Sequence, residues 1–332
     1  MKVAVLGLGY WGPNLVRNFL SNPDILSVTG VDINPSRLKI IKDKFPNALL
    51  TKDFDLVLKD KEIDIVAIAT PVDTHYKFAK EALKNGKNIW VEKPFTATSK
   101  QAEELIKTAE KNKLKIFVDH TFIYNGAVTK IKELVNKNEL GDIIYFDSVR
   151  VNLGLFQHDV NVIWDLAPHD LSIMNYIIKA KPVAVTANGI ANYSNLENVA
   201  HLSVYFDDNT FAHFHVNWTS PVKIRRMIVG GNKKMLVFDD MENSEKIKVY
   251  DSGINIQTQE GIYDALVEYR IGDMYSPKIA QAEALATGVK EFISAIKENR
   301  QPLTNGYDGL EIVKILEASD KSIKQKGKLI KL

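Results

Sequence analysis

The chain has 332 residues, of which 45% are hydrophobic and 25% charged, so we expect a globular protein with two domains. A formal net charge of +2, without any block of basic residues, argues against nucleic-acid binding and against a polybasic membrane anchor. The absence of cysteine excludes disulfides, zinc thiolates and cysteine nucleophiles. The sequence starts on a strand-like segment and holds no apolar run of the roughly 20 residues that span a bilayer, so we expect no membrane association and a cytoplasmic protein.

The first third of the sequence alternates strands with helices. Continuous apolar runs predict parallel strands that are covered on both faces, at residues 2–9, 26–32, 63–69, 88–92 and 115–119. The clearest helix is predicted at residues 98–112, where apolar residues recur every three or four positions. This alternation is typical of a doubly wound α/β domain with a parallel sheet, a Rossmann domain, which we place at residues 1–120.

The pattern changes after residue 120. The predicted elements are a helix at 126–138, a strand at 143–152, a helix starting near Pro168, strands and turns through 182–251, and helices at 280–299 and 306–325. We place the start of the second of these helices near Pro168, because proline suits the first helical turn. Residues 121–332 thus predict an α+β substrate-binding and oligomerisation domain with a large, mainly antiparallel open sheet, whose C-terminal helix is free to pack back on the first domain.

A glycine-rich segment, Gly7-Leu8-Gly9-Tyr10-Trp11-Gly12, lies between the first predicted strand and a helix. A G-x-G-x-x-G motif at this position is typical of a dinucleotide site. Gly7 permits the tight turn, Gly9 lets the backbone approach the pyrophosphate, and Gly12 allows close packing of helix on strand. The N–H groups and the dipole of the helix N-terminus attract phosphates. We therefore predict that Gly7, Gly9, Tyr10, Trp11 and Gly12 bind a nicotinamide dinucleotide.

Asp32 stands at the C-terminal end of the second predicted strand, about 20 residues after the glycine motif. A carboxylate at this place accepts hydrogen bonds from the hydroxyls of the adenosine ribose and repels a 2′-phosphate. The sequence therefore favours NAD, and Arg37 keeps NADP open as the less favoured cofactor. The alternative is an ordinary tight turn followed by an ordinary surface aspartate.

Two further loops follow predicted strands at the same edge of the sheet. Ala69-Thr70-Pro71 ends one strand, and Glu92-Lys93-Pro94 ends the next. Ligands of open α/β sheets bind beyond the carboxyl ends of the strands, so we expect both loops to face the cofactor. We therefore add Thr70, Pro71, Glu92 and Lys93 to the predicted cofactor site, with a solvated lysine as the alternative for Lys93.

These residues resemble a known family. The glycine loop, Asp32, the stretch Ala69-Thr70-Pro71-Val72-Asp73-Thr74-His75, and the segments Glu92-Lys93-Pro94 and Asp165-Leu166-Ala167-Pro168-His169-Asp170 are similar to those of the Gfo/Idh/MocA oxidoreductases. The likeness runs the full length, because the second half has the helix and large open sheet of that family's C-terminal domain. The resemblance implies that Lys93 and His169 are the catalytic pair, that Asp165 assists, and that His75 joins the cofactor site.

A narrower likeness concerns the substrate. The segments Gly9-Tyr10-Trp11-Gly12-Pro13-Asn14, Trp164-Asp165-Leu166-Ala167-Pro168-His169-Asp170 and Phe238-Asp239-Asp240 look like a subgroup that acts on nucleotide sugars. The subgroup includes UDP-N-acetylglucosamine 3-dehydrogenases and related UDP-N-acetylglucosaminuronate enzymes. Many members carry an arginine and a proline where this chain has Phe122-Ile123-Tyr124-Asn125. The sugar contacts of that arginine are therefore not carried over, and we count Tyr124 and Asn125 among the substrate-binding candidates.

Oxidation of a sugar hydroxyl takes a proton from oxygen and transfers a hydride from carbon to the nicotinamide. If Pro168 begins a helix, His169 lies in its first turn, where the helix dipole keeps the imidazole neutral and fit for general-base catalysis. Lys93 then supplies positive charge beside the developing alkoxide and is the second candidate for the base. Asp165 is a candidate to orient the imidazole, and Trp164 either stacks on the sugar or nicotinamide or packs between domains. A packed histidine at a helix start is the alternative for His169.

His213 and His215 alternate with apolar residues on one predicted strand, so both face the same side of the sheet. Because a third ligand is missing nearby in the sequence, we predict no metal site and place them on an exposed face or a subunit interface. An open sheet with helices on one face needs a cover for the other, which predicts a homodimer or homotetramer through the C-terminal sheet.

Together these features predict an NAD-dependent dehydrogenase that oxidises the 3-hydroxyl of a UDP-N-acetylhexosamine or its uronate, for surface-polysaccharide or glycan precursor synthesis. A polyol or free-sugar dehydrogenase and an NAD-using glycosidase are the alternatives on the same scaffold, because oxidation of one hydroxyl begins each reaction. A non-catalytic NAD-binding regulator is the alternative of another class. The joint presence of Lys93, Asp165 and His169 argues against that regulator.

Overall fold

The computed structural model describes residues 1–154, 156–256 and 267–332. The chain divides into two compact units. Unit 1 comprises Met1–Tyr124 and Ala282–Glu317, and unit 2 comprises Asn125–Gln281 and Ala318–Leu332. Residues 282–317 therefore belong to unit 1, whereas the division inferred from the sequence places them with the second domain.

Unit 1 is built on a parallel sheet. In the described part of the chain, this sheet has six strands in the order β3-β2-β1-β4-β5-β6. The strands are β1 (Lys2–Leu6), β2 (Ser27–Val31), β3 (Leu49–Thr51), β4 (Ile65–Ile68), β5 (Asn88–Glu92) and β6 (Ile116–Asp119). The strand order reverses between β1 and β4, so the loops after these two strands flank the crevice in which such sheets bind ligands. The sequence analysis missed β3, because its three residues lie at a sheet edge, with Leu49 59% exposed, and form too short an apolar run to indicate a strand.

Several of the helices begin at a residue whose side chain caps the first turn. The helices are α1 (Gly12–Leu20), α2 (Pro35–Lys44), α3 (Phe54–Lys59), α4 (Val72–Lys84), α5 (Ser99–Lys111), α6 (Gly126–Asn136), α7 (Val162–Ile177), α8 (Ala284–Lys297) and α9 (Gly306–Lys324), with a 3₁₀ turn at Thr121–Tyr124. The side chains of Asn34, Asp53 and Thr98 accept hydrogen bonds from backbone N–H groups in the first turns of α2, α3 and α5. No helix among the described residues has both the length and the apolar character that a membrane span requires.

Unit 2 contains the second, larger sheet. Its nine strands within the described residues run in the order β14-β13-β12-β11-β7-β10-β9-β8-β15. They are β7 (Ile143–Leu153), β8 (Pro182–Ile190), β9 (Val199–Phe206), β10 (Phe211–Asn217), β11 (Thr219–Gly231), β12 (Met235–Asp239), β13 (Ile247–Ile256), β14 (Val267–Tyr275) and β15 (Ile330–Lys331). Neighbours pair antiparallel except β7 with β10, which confirms the predicted α+β domain with a mainly antiparallel sheet.

Helix α7 packs on one face of the large sheet, against β7, β9 and β10. Alternate residues of β9 are buried on that face, namely Ala200, Leu202, Val204 and Phe206. The residues between them point to the opposite face, which we call the open face of the large sheet. The open face carries exposed or half-exposed side chains on β9 and β10, including His201, Tyr205, Phe211, His213 and His215.

The predicted start of α7 near Pro168 is wrong, because Pro168 lies inside the helix. The helix begins at Val162, where the Asn161 side chain accepts hydrogen bonds from the N–H groups of Ile163 and Trp164 at 3.1 and 3.2 Å. This cap, followed by an apolar run, outweighs the bond that the proline nitrogen cannot donate. His169 therefore lies about two turns into α7, where the helix dipole no longer acts on the imidazole.

Candidate active site

The glycine loop after β1 is shaped by the packing of the chain itself at two of its glycines. Gly7 has a φ of +89°, and a Cβ built on it would lie 2.5 Å from the Ala69 carbonyl oxygen. A Cβ on Gly12 would lie 2.0 Å from the Gly7 carbonyl oxygen. Side chains at both positions are therefore excluded by backbone atoms, and the loop lies directly against the loop that follows β4.

Gly9 is different, because the chain itself leaves room for a side chain there. A Cβ on Gly9 would lie 3.8 Å from the nearest atoms of the chain, which are in the Arg37 guanidinium. Internal packing therefore does not account for this glycine, whereas the close approach of a ligand to the backbone does. Helix α1 starts three residues later, so its N-terminus provides N–H groups for phosphate. The segment fits the pyrophosphate of a dinucleotide.

Asp32 lies at the carboxyl end of β2, buried and beside the glycine loop. Its Oδ2 accepts a hydrogen bond from the Leu8 N–H at 2.8 Å, and its Oδ1 accepts one from the Asn34 N–H at 2.8 Å. Arg37 donates to Oδ2 at 3.3 Å from a half-exposed side chain. The carboxylate is thus fixed next to the loop, in the position that holds adenosine ribose hydroxyls in this type of sheet.

His75 connects the loops after β4 and β5. The ring is buried, with Nδ1 2.9 Å from the Pro94 carbonyl oxygen and Nε2 2.8 Å from that of Thr70. Burial lowers the pKa of His75, which favours the neutral ring, and a neutral ring donates only one of these two hydrogen bonds. Both nitrogens of this predicted cofactor residue therefore face the backbone, so the ring braces Thr70 and Pro94 against each other.

The carboxyl ends of β5 and β6 bring together Glu92 and Asp119, which are register partners. Their carboxyl groups are hydrogen-bonded to each other, and burial followed by the charge of Asp119 raises the pKa of Glu92 well above its usual range. Burial also raises the pKa of Asp119. The next residue, His120, is buried, and burial with the positive charge of Lys93 lowers its pKa to about 3. Lys93 follows Glu92, and its peptide bond to Pro94 is cis.

The sequence analysis missed Asp119 and His120. Both follow the buried run of β6 at the edge where the other predicted residues lie, so their position was the signal that would have found them. The aspartate is also tied to the glycine loop, because Trp11 Nε1 donates to Asp119 Oδ2 at 3.3 Å. Unit 1 thus gathers the predicted cofactor residues, with these two in addition, along one edge of its sheet.

Unit 2 holds the other predicted catalytic residues on α7. Asp165 and His169 are one helical turn apart and share a face of the helix, and both are partly exposed. The indole N–H of Trp218 donates to Asp165 Oδ2 at 3.0 Å, a contact between the helix and the end of β10 that no local pattern in the sequence indicates. Trp164 is buried, and its indole N–H donates to Asp320 Oδ2 at 2.8 Å.

The substrate-binding candidates Tyr124 and Asn125 both make structural contacts. The Tyr124 hydroxyl lies 3.0 Å from the Thr304 hydroxyl within unit 1, and burial raises its pKa. Asn125 caps α6 in unit 2, where its Oδ1 accepts a hydrogen bond from the Ala127 N–H at 2.8 Å. That either side chain also contacts the substrate stays a prediction.

Three histidines lie together on the open face of the large sheet. His201 on β9 stacks on His215 with ring centroids 4.3 Å apart, and it lies 5.6 Å from His213. Burial and the neighbouring histidines lower the pKa of His201 and of His215. Within the described ranges, no group of three or more histidine, cysteine or acidic side chains is arranged to hold a metal ion.

Comparison with protein families identifies the family of this chain. Residues 1–120 match the description "Oxidoreductase family, NAD-binding Rossmann fold", and residues 128–237 match the "GFO/IDH/MocA C-terminal domain". The chain belongs to the Gfo/Idh/MocA family. It is therefore an oxidoreductase with an NAD-binding Rossmann domain, which confirms the cofactor and the enzyme class predicted from the glycine loop and Asp32.

Curated relatives match almost the whole chain at low identity. The scyllo-inositol 2-dehydrogenase (NADP(+)) of Bacillus subtilis is 24% identical over 98% of this chain and 94% of its own. The UDP-N-acetylglucosamine 3-dehydrogenase of Acidithiobacillus ferrooxidans is 25% identical over 94% of each. A solved structure of that enzyme aligns with a TM-score of 0.80 and 22% identity, covering 98% of both chains. An oxidoreductase from Agrobacterium radiobacter, solved with NAD⁺, L-tartaric acid and magnesium, aligns with a TM-score of 0.82 and 16% identity over 100% and 98%.

Proposed function

We propose that this oxidoreductase is an NAD-dependent dehydrogenase that oxidises the 3-hydroxyl of a UDP-N-acetylhexosamine, or of its uronate, to a ketone. The observation that carries the proposal is the likeness to the Acidithiobacillus UDP-N-acetylglucosamine 3-dehydrogenase over 94% of both chains. The keto sugar then serves glycan precursor synthesis. Because NAD and nucleotide sugars are metabolites of the cytoplasm, we place the reaction there.

NAD, when bound, supplies the acceptor for the hydride that leaves the sugar carbon. The residues assigned to hold it are those of the glycine loop, Asp32, Thr70, Pro71, His75, Glu92 and Lys93. The chain's own contribution is to bind and orient the two reactants, to remove the hydroxyl proton and to stabilise the alkoxide that forms. Lys93 is assigned the last of these tasks, since an ammonium close to the oxygen offsets its developing charge.

His169 is assigned the role of general base. The helix dipole does not support this assignment, because His169 lies about two turns into α7. The support is chemical: histidine has a reference pKa of about 6.5, so an imidazole near neutral pH is largely able to accept a proton. Asp165, one turn earlier on the same face and bonded to Trp218, is assigned the orientation of the ring. Lys93 is the second candidate for the base.

The test measures reduced nicotinamide by absorbance with a panel of UDP-sugars. We expect turnover with a UDP-N-acetylhexosamine or its uronate, and a loss of about 10²- to 10⁴-fold in kcat for His169→Ala with NAD affinity unchanged. His158→Ala removes an exposed imidazole from the same unit and is the matched control. Near-normal turnover of His169→Ala at neutral pH would contradict the assignment of the base.

The substrate is tested separately from the base. Absence of turnover with every UDP-sugar, also after addition of an organic oxidant that can recycle a tightly held cofactor, contradicts the proposed substrate class. A polyol dehydrogenase is the second candidate, favoured by the likeness to the Bacillus scyllo-inositol 2-dehydrogenase over 98% of this chain. The panel therefore includes inositols and free sugars with both NAD and NADP. Turnover with an inositol but not with UDP-sugars would replace the first proposal by the second.

We further propose that the chain forms a homodimer or homotetramer through the open face of the large sheet. The support is that α7 packs on the opposite face, while Phe211 on β10 leaves 37% of its surface exposed on the open face. Light scattering measures the mass in solution. Phe211→Asp is expected to give monomers, whereas Leu26→Asp, at a 77% exposed position in unit 1, keeps the wild-type mass. A wild-type monomer refutes this assembly.

A further inference from the structure

Two acidic side chains meet at the carboxyl edge of the parallel sheet. Glu92 ends β5 and Asp119 ends β6, and the two carboxyl groups are hydrogen-bonded to each other. Asp119 is 1% exposed, and the Glu92 Oε1 atom is buried although the residue as a whole is partly exposed. Two buried carboxylates in contact repel each other and lack water, so they share one proton and carry one negative charge.

The hydrogen bonds decide which of the two carboxyl groups carries the charge. Asp119 accepts a bond from Trp11 Nε1 at 3.3 Å and one from the Thr121 hydroxyl at 2.7 Å. Hydrogen bonds donated to a carboxylate favour its charged form. Glu92 Oε1 has no hydrogen-bond partner in the described part of the chain. The proton therefore resides on Glu92 and the charge on Asp119, in agreement with the strongly raised pKa of Glu92.

The other titratable groups around the pair are Lys93, His120 and Tyr124. His120 has a pKa of about 3, so it is neutral near pH 7. Burial raises the pKa of Tyr124, with the Asp119 charge contributing, so this hydroxyl keeps its proton. Lys93 is near enough for its charge to act on both Glu92 and His120. Of the two carboxyl groups, Asp119 therefore carries the negative charge.

We propose that Asp119 is a positioning residue of this oxidoreductase: it carries the single negative charge of the pair and ties Trp11 of the phosphate-binding loop to the Glu92-Lys93 segment, while Glu92 holds the shared proton. The chain Trp11–Asp119–Glu92 joins two loops that the Rossmann fold turns toward the same dinucleotide. The proposal concerns the binding of NAD, so it rests on the family alone and not on the proposed sugar substrate.

Asp119→Asn tests the proposal, since it removes the charge and retains the shape. We expect NAD affinity, followed by tryptophan fluorescence, to fall about threefold to tenfold as Trp11 loses a charged acceptor. We expect the KM for NAD to rise by a similar factor while kcat stays within about twofold, because the variant changes how the loop holds the cofactor and leaves the reacting groups in place. Asp308→Asn is the matched control, because burial raises the pKa of Asp308 to about 6 in the same unit.

Glu92→Gln imitates the protonated acid and retains the charge on Asp119. The NAD affinity of this variant is expected to stay within about twofold of wild type, because Trp11 keeps its charged acceptor. Equal losses of NAD affinity in both variants, or a loss in Glu92→Gln alone, would overturn the assignment of the charge.

A third variant covers the case in which Asp119→Asn does not fold. Trp11→Phe removes the indole N–H and leaves both carboxyl groups, and we expect it to weaken NAD about threefold to tenfold. Unchanged NAD affinity in Trp11→Phe would overturn the link to the phosphate loop. These binding experiments need no sugar, so they stand apart from the test of the proposed substrate.

Discussion

Each unit buries an aspartate, and the two aspartates differ in the side chains that they contact. In unit 2, Asp170 Oδ1 accepts hydrogen bonds from Arg150 Nε at 2.9 Å and Nη2 at 2.5 Å, and its Oδ2 accepts one from the Ser148 hydroxyl at 2.7 Å. In unit 1, Asp119 contacts a second acid, Glu92, instead of a guanidinium. The negative charge of Asp170 is balanced by the adjacent guanidinium. Asp119 and Glu92 instead share one proton and keep one negative charge between them, and the pKa values of such a pair depend on the groups around it.

The difference separates support from chemistry. Asp170 follows His169 in α7, and its bonds to two side chains of β7 fix the rotation of that helix on the sheet. Asp119 and Glu92 instead lie at the edge of a sheet that binds a dinucleotide, where perturbed pKa values commonly accompany function. Burial of an acid therefore does not by itself mark a functional site. The side chain that the acid contacts distinguishes a structural acid from a functional one.

The largest effect is expected from Asp170→Ala. The substitution leaves the Arg150 charge buried at 4% side-chain exposure without its carboxylate, which costs about 3–5 kcal/mol of unfolding free energy. Urea unfolding measures the loss. Glu81→Ala breaks an ion pair in which both side chains are about half exposed, and it serves as the control with a cost below about 1 kcal/mol. A loss below about 1 kcal/mol for Asp170→Ala would remove the distinction between the two aspartates.

The next largest effect is a loss of folding stability in acid that is caused by His120. Its pKa is about 3 in the folded chain and about 6.5 in the unfolded one, so below pH 6.5 the unfolded state binds a proton that the folded state refuses. Stability is therefore lost as the pH falls from about 6.5 toward 3. His120→Gln is expected to abolish a difference on the order of 3 kcal/mol between pH 7 and pH 4. Urea midpoints at both pH values measure it, and an equal acid loss in the variant contradicts it.

A smaller effect of opposite sign is expected from Glu92→Gln. A carboxyl whose pKa is raised by folding stabilises the protein below its unfolded pKa and loses that contribution as the pH rises. Glutamine does not ionise, so the variant is expected to be more stable than wild type at pH 8 by on the order of 1 kcal/mol, with less gain at pH 5. Thermal unfolding at the two pH values measures the gain. A variant that is less stable at both would place the proton elsewhere.

The smallest effects come from a matched pair of hydroxyl deletions. Ser148→Ala removes one donor from Asp170, and Thr121→Val removes one from Asp119, each at about 1 kcal/mol. Only Thr121→Val is expected to weaken the binding of NAD, because Thr121 holds the aspartate that accepts a hydrogen bond from Trp11 of the phosphate-binding loop. Urea unfolding and NAD binding of both variants provide the comparison, which fails if Ser148→Ala weakens NAD equally.

Local patterns predicted most of unit 1. Strands β1, β2, β4, β5 and β6 follow from apolar runs, and the glycine loop follows from residues that only a tight turn and a close ligand require. The edge strand β3 escaped, because its few residues have no pattern of their own. In unit 2 the strands between residues 143 and 251 were predicted, whereas β14 and β15 were missed. Pro168 misplaced the start of α7, since a buried helix with a good cap tolerates an interior proline.

The sequence by itself determined the family, the cofactor and the enzyme class, because a dinucleotide site is built from a continuous segment and a carboxylate about 20 residues later. Only the tertiary structure decided how the buried acids are paired. The contacts of Asp119 with Trp11 and Glu92, and of Asp170 with Arg150, depend on strand register and on helix rotation. These are set by the packing of whole elements, so no local pattern around either aspartate carries them.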